Sequence, residues 1–274
     1  MLSVVVFILT GILVGAFGTL IGAGGGFILT PILLLFFPKL APSAITAISM
    51  TTVFFNSSSG SFAYSRMKRI DYKTGLVFAA ATLPGTIIGT IVTVYMPRKA
   101  FDILFGSFML IFAVIIVLKS KMGDHSAPPD KKGPFRVVRK LIDAKGYETL
   151  FSFNMLIGII ISLFVGFLSG LLGIGGGIVH VPALVFMGFP AHFATATSHF
   201  VLSLSSFTSL IVHITDGSLT GVVKMAICFG LGALLGAQLG ARLSNRLKGS
   251  VILLCLAGAL VIAGIRILLM GINL

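Results

Sequence analysis

Two glycine-rich stretches, 22–26 and 173–177, carry the residue types and spacing best suited to holding a ligand. Each interrupts a long apolar run. Where a helix restarts after such a break, its first backbone N–H groups lack intrahelical acceptors and its dipole is positive, a combination that attracts anions. The segment 14–31 reads VGAFGTLIGAGGGFILTP and 165–182 reads VGFLSGLLGIGGGIVHVP. At this offset of 151, Gly15, Gly22, Gly24, Gly25, Gly26 and Pro31 recur as Gly166, Gly173, Gly175, Gly176, Gly177 and Pro182. The first candidate ligands are therefore Gly24, Gly25, Gly26, Gly175, Gly176 and Gly177. The competing reading is that these glycines only let helices approach closely. A dinucleotide fingerprint fails, because it would need glycine where Phe27 and Ile178 stand.

A second group is polar within apolar surroundings: Asn56, Ser57, Ser58, Ser59 and Ser61, matched more weakly by Ser203, Ser205, Ser206, Thr208 and Ser209. Such groups can replace the hydration shell of an oxyanion with neutral donors, or can bond back to their own helix. Asn56, Ser57 and Ser206 are candidate ligands, flanked by Ser198 and His199. No Asp or Glu falls deep within an apolar run, which leaves His180, His199 and His213 as the intramembrane groups that titrate near neutrality. Neither a G-x-S-G serine motif nor an H-E-x-x-H zinc motif occurs, so catalysis, a metal and a cofactor are not expected. Cys228 and Cys255 lie in apolar helices and read as packing residues.

The elements that must position these groups are membrane helices. Of 274 residues 57% are hydrophobic and 10% charged, which rules out a water-soluble globule. Apolar segments are uniform rather than alternating, which excludes a transmembrane barrel. The chargeless run 149–215 is 67 residues long and as one helix would extend about 100 Å, so it must fold back. The pattern predicts helices near 3–22, 27–37, 42–65, 151–172, 178–187 and 191–214, with eight or so long segments and two short ones in all. The first run lacks a basic leader and continues to Pro38, so it reads as retained structure. Tyr64, Tyr72 and Tyr95 are expected at the interface.

The fold class predicted is all-α and polytopic, with an N-terminal repeat (1–118), a basic linker (119–149) and a C-terminal repeat (150–274). The net charge of +13 is concentrated in loops and in this linker, as cytoplasmic anchors rather than a nucleic-acid face. Within the linker, 123–134 reads as a loop and 135–147 as a short helix on anionic headgroups, with Phe135, Val138, Leu141 and Ile142 recurring every three to four residues. Basic residues favour opposite loops in the two halves, Arg66–Lys73 in one and Arg242–Lys248 in the other, which implies inverted-topology repeats with broken or re-entrant helices. The stripe Gly236 to Gly240 suits a homodimer contact or internal packing equally.

The motif GxxxGxxGxGGGxxxxP, complete from Gly166 to Pro182 and with Thr19 at its second glycine position in the first half, resembles the sulfite exporter TauE/SafE family. The stretch NSSSGSFAYSRMKRID in the first half resembles that family too. The resemblance implies a multi-pass protein of the inner membrane that exports, or sometimes takes up, sulfite, sulfoacetate or related organosulfur anions, and the paired glycine turns of inverted repeats add the expectation of alternating access. An anion channel, or an uptake permease for a different small anion, is the alternative. Leu29 stands where the second half has His180, so the two half-sites are not expected to contribute identical contacts.

Overall fold

A computed structural model of the chain describes residues 2–120, 135–244 and 249–273. The expected loop 123–134, with Lys131 and Lys132, lies outside the described residues, as do Arg246, Lys248 and the side chain of Cys255. Ten helices and two strands occur among the described residues. They are α1 (Leu2–Ile21), α2 (Gly26–Phe36), α3 (Pro42–Arg66), α4 (Tyr72–Val94), α5 (Arg98–Ser120), β1 (Arg136–Ile142), β2 (Glu148–Asn154), α6 (Met155–Leu172), α7 (Gly177–Met187), α8 (Ala191–Thr215), α9 (Val223–Leu243) and α10 (Gly249–Asn273). Eight helices are long and two are short, the short ones each following a glycine turn.

Both short helices start where the backbone adopts a conformation that L side chains rarely tolerate. Gly25 caps α2 at φ 83° and Gly176 caps α7 at φ 69°. Eleven residues rise about 16 Å, half the hydrocarbon thickness of a bilayer.

Helix directions follow from which residues touch. Along α1 and α9 the contacts ascend together, Gly232 lying against Ile8 and Ile12, Gly236 against Ile12 and Gly240 against Ala16, so the two run parallel. Gly85 against Leu163 and Gly89 against Phe167 make α4 parallel to α6 in the same way. Helix α3 joins the first set, since Asn56 bonds Gly15 and Tyr64 bonds Thr19. Helix α8 joins the second, since Phe200 lies against Gly75 and Ser209 bonds Thr90. Between the sets, Tyr64 meets His199 and Phe54 meets Phe207, so α3 and α8 are antiparallel. Helices α5 and α10 form an antiparallel outer pair, with Gly106 on Leu268 and Gly271 on Asp102. The stripe Gly236 to Gly240 is thus used in internal packing on α1.

Five helices are long and apolar enough to cross a membrane by length and composition: α1, α4, α6, α8 and α9. Helix α3 is as long as α8 but too polar to be one of them. It is sheathed by other helices instead, with Ser49, Thr52, Asn56 and Ser57 fully buried.

The segment 135–147 is not a surface helix. It belongs to an antiparallel hairpin, β1 on β2, with Val138 opposite Ser152 and Lys140 opposite Leu150. Successive strand side chains face opposite ways, so Val137 and Leu141 pack inward with Phe151 and Phe153 while Val138 and Ile142 are exposed. The β-branched pair Val137–Val138 favours this state. Helix α6 consequently begins at Met155, four residues later than expected, with the Asn154 side chain accepting from the N–H groups of Leu156 and Ile157. Arg139 Nε lies 3.3 Å from an Asp71 carboxylate oxygen, fixing the hairpin to the start of α4. Tyr64 is not interfacial: it is buried and donates to the Thr19 carbonyl, whereas Tyr72 and Tyr95 are exposed at helix ends.

Candidate functional site

The two glycine turns touch at the centre of the molecule. A Cβ built on Gly24 would lie 3.1 Å from Val53 and 3.2 Å from Leu202; one built on Gly175 would meet the same two side chains at 2.8 and 3.3 Å. Val53 on α3 and Leu202 on α8 therefore wedge between the turns as an equivalent pair. The first residues of α2 and α7 each face the opposite turn, Gly26 the Gly173 carbonyl and Gly177 the Gly22 carbonyl.

Of the six candidate glycine N–H groups, Gly24 donates to the Gly18 carbonyl and Gly177 to the Gly175 carbonyl. Those of Gly25, Gly26, Gly175 and Gly176 have no backbone acceptor among the described residues. All four glycines are buried. A buried N–H without a partner is costly and uncommon, so four in two abutting turns are unusual.

Hydroxyls flank the turns on both sides. On one, Thr30 of α2 donates to Ser49, 2.9 Å, and Ser49 of α3 donates to the Gly173 carbonyl, 2.6 Å. On the other, the equivalent Ser198 of α8 lies 3.2 Å from His180 Nδ1, and Ser162 of α6 lies 3.3 Å from His180 Nε2. Ser198 thus reaches α7 through His180, one helical turn after Gly177.

The remaining candidates are occupied elsewhere. Asn56 donates from its amide to the Gly15 and Ala233 carbonyls and accepts from Thr19, spending its side chain on tying α3 to α1 and α9. Ser57 donates to the Val53 carbonyl and Ser206 to the Leu202 carbonyl, each within its own helix. His199 lies against Gly60 and Tyr64, its Nδ1 3.3 Å from the Thr195 carbonyl and its Nε2 without a partner among the described residues. His213 lies near the far end of α8, 3.6 Å from Asp216. Sequence reasoning passed over Thr30, Ser162 and the bridging position of His180. The available signal was spacing: Thr30 and His180 fall one turn after Gly26 and Gly177 respectively. Among the described residues no cluster of three His, Cys, Asp or Glu could hold a metal ion.

A bundle with five membrane-length helices and two half-length helices meeting at its centre is a multi-pass membrane protein of transporter type. The chain belongs to the sulfite exporter TauE/SafE family, whose model matches residues 7–267. It is 34% identical over 236 residues to the probable membrane transporter protein YunE of Bacillus subtilis, covering 84% of this chain and 85% of that protein. It is 31% identical over 213 residues to the probable membrane transporter protein MJ0441 of Methanocaldococcus jannaschii, covering 76% and 71%. A second Bacillus subtilis relative, the probable membrane transporter protein YdhB, is 24% identical over 232 residues, with 84% and 85% covered. No solved structure matches the chain. Family and relatives alike are membrane transporters rather than enzymes.

Proposed function

We propose that this transporter carries small sulfur-containing oxyanions, such as sulfite, sulfoacetate and other organosulfonates, outward across the cell membrane by alternating access. The observation that carries this reading is the set of four buried glycine N–H groups without backbone acceptors, at the paired starts of α2 and α7. An oxyanion between the turns would satisfy them and would meet the positive ends of both helix dipoles. Ser49 and Ser198 would lie at its edges.

The antiparallel packing of α3 on the equivalent α8, and of α5 on α10, supports two inverted repeats, with α2 and α7 as re-entrant half-helices. The basic linker and its hairpin are assigned to the cytoplasmic side. Rocking the set of α1, α3 and α9 against that of α4, α6 and α8 would part the wedge of Val53 and Leu202 and open the centre to one side at a time. An inside-negative potential favours exit by about 2.3 kcal/mol per 100 mV for each net negative charge moved.

The test is counterflow of labelled sulfite and sulfoacetate in proteoliposomes. Saturable counterflow is expected; a non-saturating current would identify a channel instead. Leucine at Gly25 or Gly176 should abolish flux, and unchanged transport in both variants would overturn this placement of the site.

A further inference from the structure

The two sides of the central site differ in one ionisable group. His180 is buried, and its imidazole bridges Ser162 of α6 and Ser198 of α8 at 3.3 and 3.2 Å. The equivalent position in the first half holds Leu29, also buried, beside the Thr30–Ser49 hydroxyl pair. A neutral imidazole donates at one nitrogen and accepts at the other, and either serine can take either role. An imidazolium donates at both, so both serines must accept. The bridge therefore holds histidine in either protonation state by rotating two hydroxyls, without repacking a helix.

Among the described residues, the imidazole hydrogen-bonds to the two serines and meets the Phe78 ring, and the ionisable groups on the surrounding elements are placed as follows. Helix α6 has none, and α7 has only His180 itself. Helix α4 contributes Phe78, edge-on to the imidazole at 5.9 Å, while its ionisable residues Tyr72 and Lys73 lie at its start. On α8, His199 turns toward Gly60 and Tyr64, His213 lies by Asp216, and His192 lies in the first turn. Strand β2 reaches Phe78 through Phe153 and carries only Glu148, exposed and paired with Lys140. The Asp71–Arg139 pair reaches α8 at Thr197, through the Asp71 N–H.

Resting on the anion-carrier reading above, we propose that His180 is a proton carrier and that each anion crosses together with one proton held on this imidazole. The physical reason is linkage. His180 sits one turn into α7, its own N–H donating to the Gly176 carbonyl. The positive end of that helix opposes an imidazolium when the site is empty, and an anion seated there reverses the sign. Anion and proton thus raise each other's affinity by the same factor, which makes the pair travel in the same direction. The proton is taken from water at the opening side and returned to water at the other, with no net change in the protein.

The experiment uses proteoliposomes containing the full chain, labelled sulfoacetate and a trapped pH dye. Sulfoacetate is chosen because its carboxylate and sulfonate stay ionised between pH 6 and 8, so any proton moved is the protein's. In the wild type, sulfoacetate influx should alkalinise the outer medium and acidify the lumen, a transmembrane pH gradient should drive accumulation, and half-saturation should fall up to about tenfold per unit as pH drops. His180→Gln should lose gradient-driven accumulation and the dye signal, and the half-saturation of its remaining counterflow should no longer vary with pH. Wild-type counterflow without any dye signal would overturn the proton link, and so would gradient-driven accumulation surviving in His180→Gln. Loss of counterflow in a folded His180→Gln protein would make the residue an anion ligand and overturn it too. Absence of wild-type counterflow with both sulfite and sulfoacetate is the separate failure that sinks the carrier reading itself.

Discussion

Gly26 packs its α-carbon against the carbonyl oxygen of Gly173, so closely that a Cβ there would stand 2.7 Å from that oxygen. The reciprocal approach of Gly177 to the Gly22 oxygen is tighter still. Each half of the chain thus closes the turn of the other, and backbone on both sides leaves little to yield.

Alanine at either position should be costly for that reason. Overpacking of a fixed site typically costs about 1–3 kcal/mol. Gly177→Ala is expected to lower the thermal unfolding midpoint in detergent more than Gly26→Ala, and both should reduce flux. Gly258 has nothing within 4 Å of its Cβ position, so Gly258→Ala should be neutral or slightly stabilising and serves as the control.

Asn56 should behave as a structural tie. Its amide donates to Gly15 and Ala233 on two other helices, and removing it leaves buried carbonyls short of a donor. Asn56→Ala is expected to cost about 1–3 kcal/mol, with the folded fraction still transporting at a similar half-saturation concentration. A large rise in half-saturation without loss of thermal stability would instead make Asn56 a ligand.

Arg98 should be the most sensitive charged residue. Its Nε–H is shared between both carboxylate oxygens of the buried Asp102 at 2.8 Å, and its terminal nitrogens donate to the carbonyls of Leu34, Pro38 and Leu40, closing the C-terminal end of α2. Arg98→Ala strands a carboxylate that is 1% exposed, at a cost of about 3–5 kcal/mol. The double variant Arg98→Ala, Asp102→Asn should recover part of that loss in the same thermal assay.

The hairpin should loosen when its latch is cut. Asp71 accepts from the Thr74 N–H at the start of α4 and pairs with Arg139, so Asp71→Ala removes a helix cap and an ion pair together. It is expected to cost more than Arg139→Ala, the cap alone being worth about 1 kcal/mol. Limited proteolysis between Asp143 and Tyr147 should be faster in both variants, and unchanged cleavage would mean that the aromatic packing of Phe151 and Phe153 holds the hairpin unaided.

By itself the sequence determined the membrane class, the internal duplication, and the two short helices after glycine turns, because hydropathy, repeat spacing and the φ requirement of Gly25 and Gly176 are local properties. Tertiary structure decided how the polar groups are used. Whether Asn56 faces a ligand or two carbonyls, and whether Ser57 and Ser206 bond their own helices, depends on what lies within about 3 Å, and that is set by helices distant in the chain. The same holds for α3, too polar to stand alone in lipid yet stable when sheathed. In the hairpin, the spacing of Phe135, Val138, Leu141 and Ile142 satisfied a helical period, but pairing with 148–154 and burial of Phe151 and Phe153 won. The bridge from Ser162 through His180 to Ser198 joins residues 18 apart on either side, a relation that exists only once three helices meet.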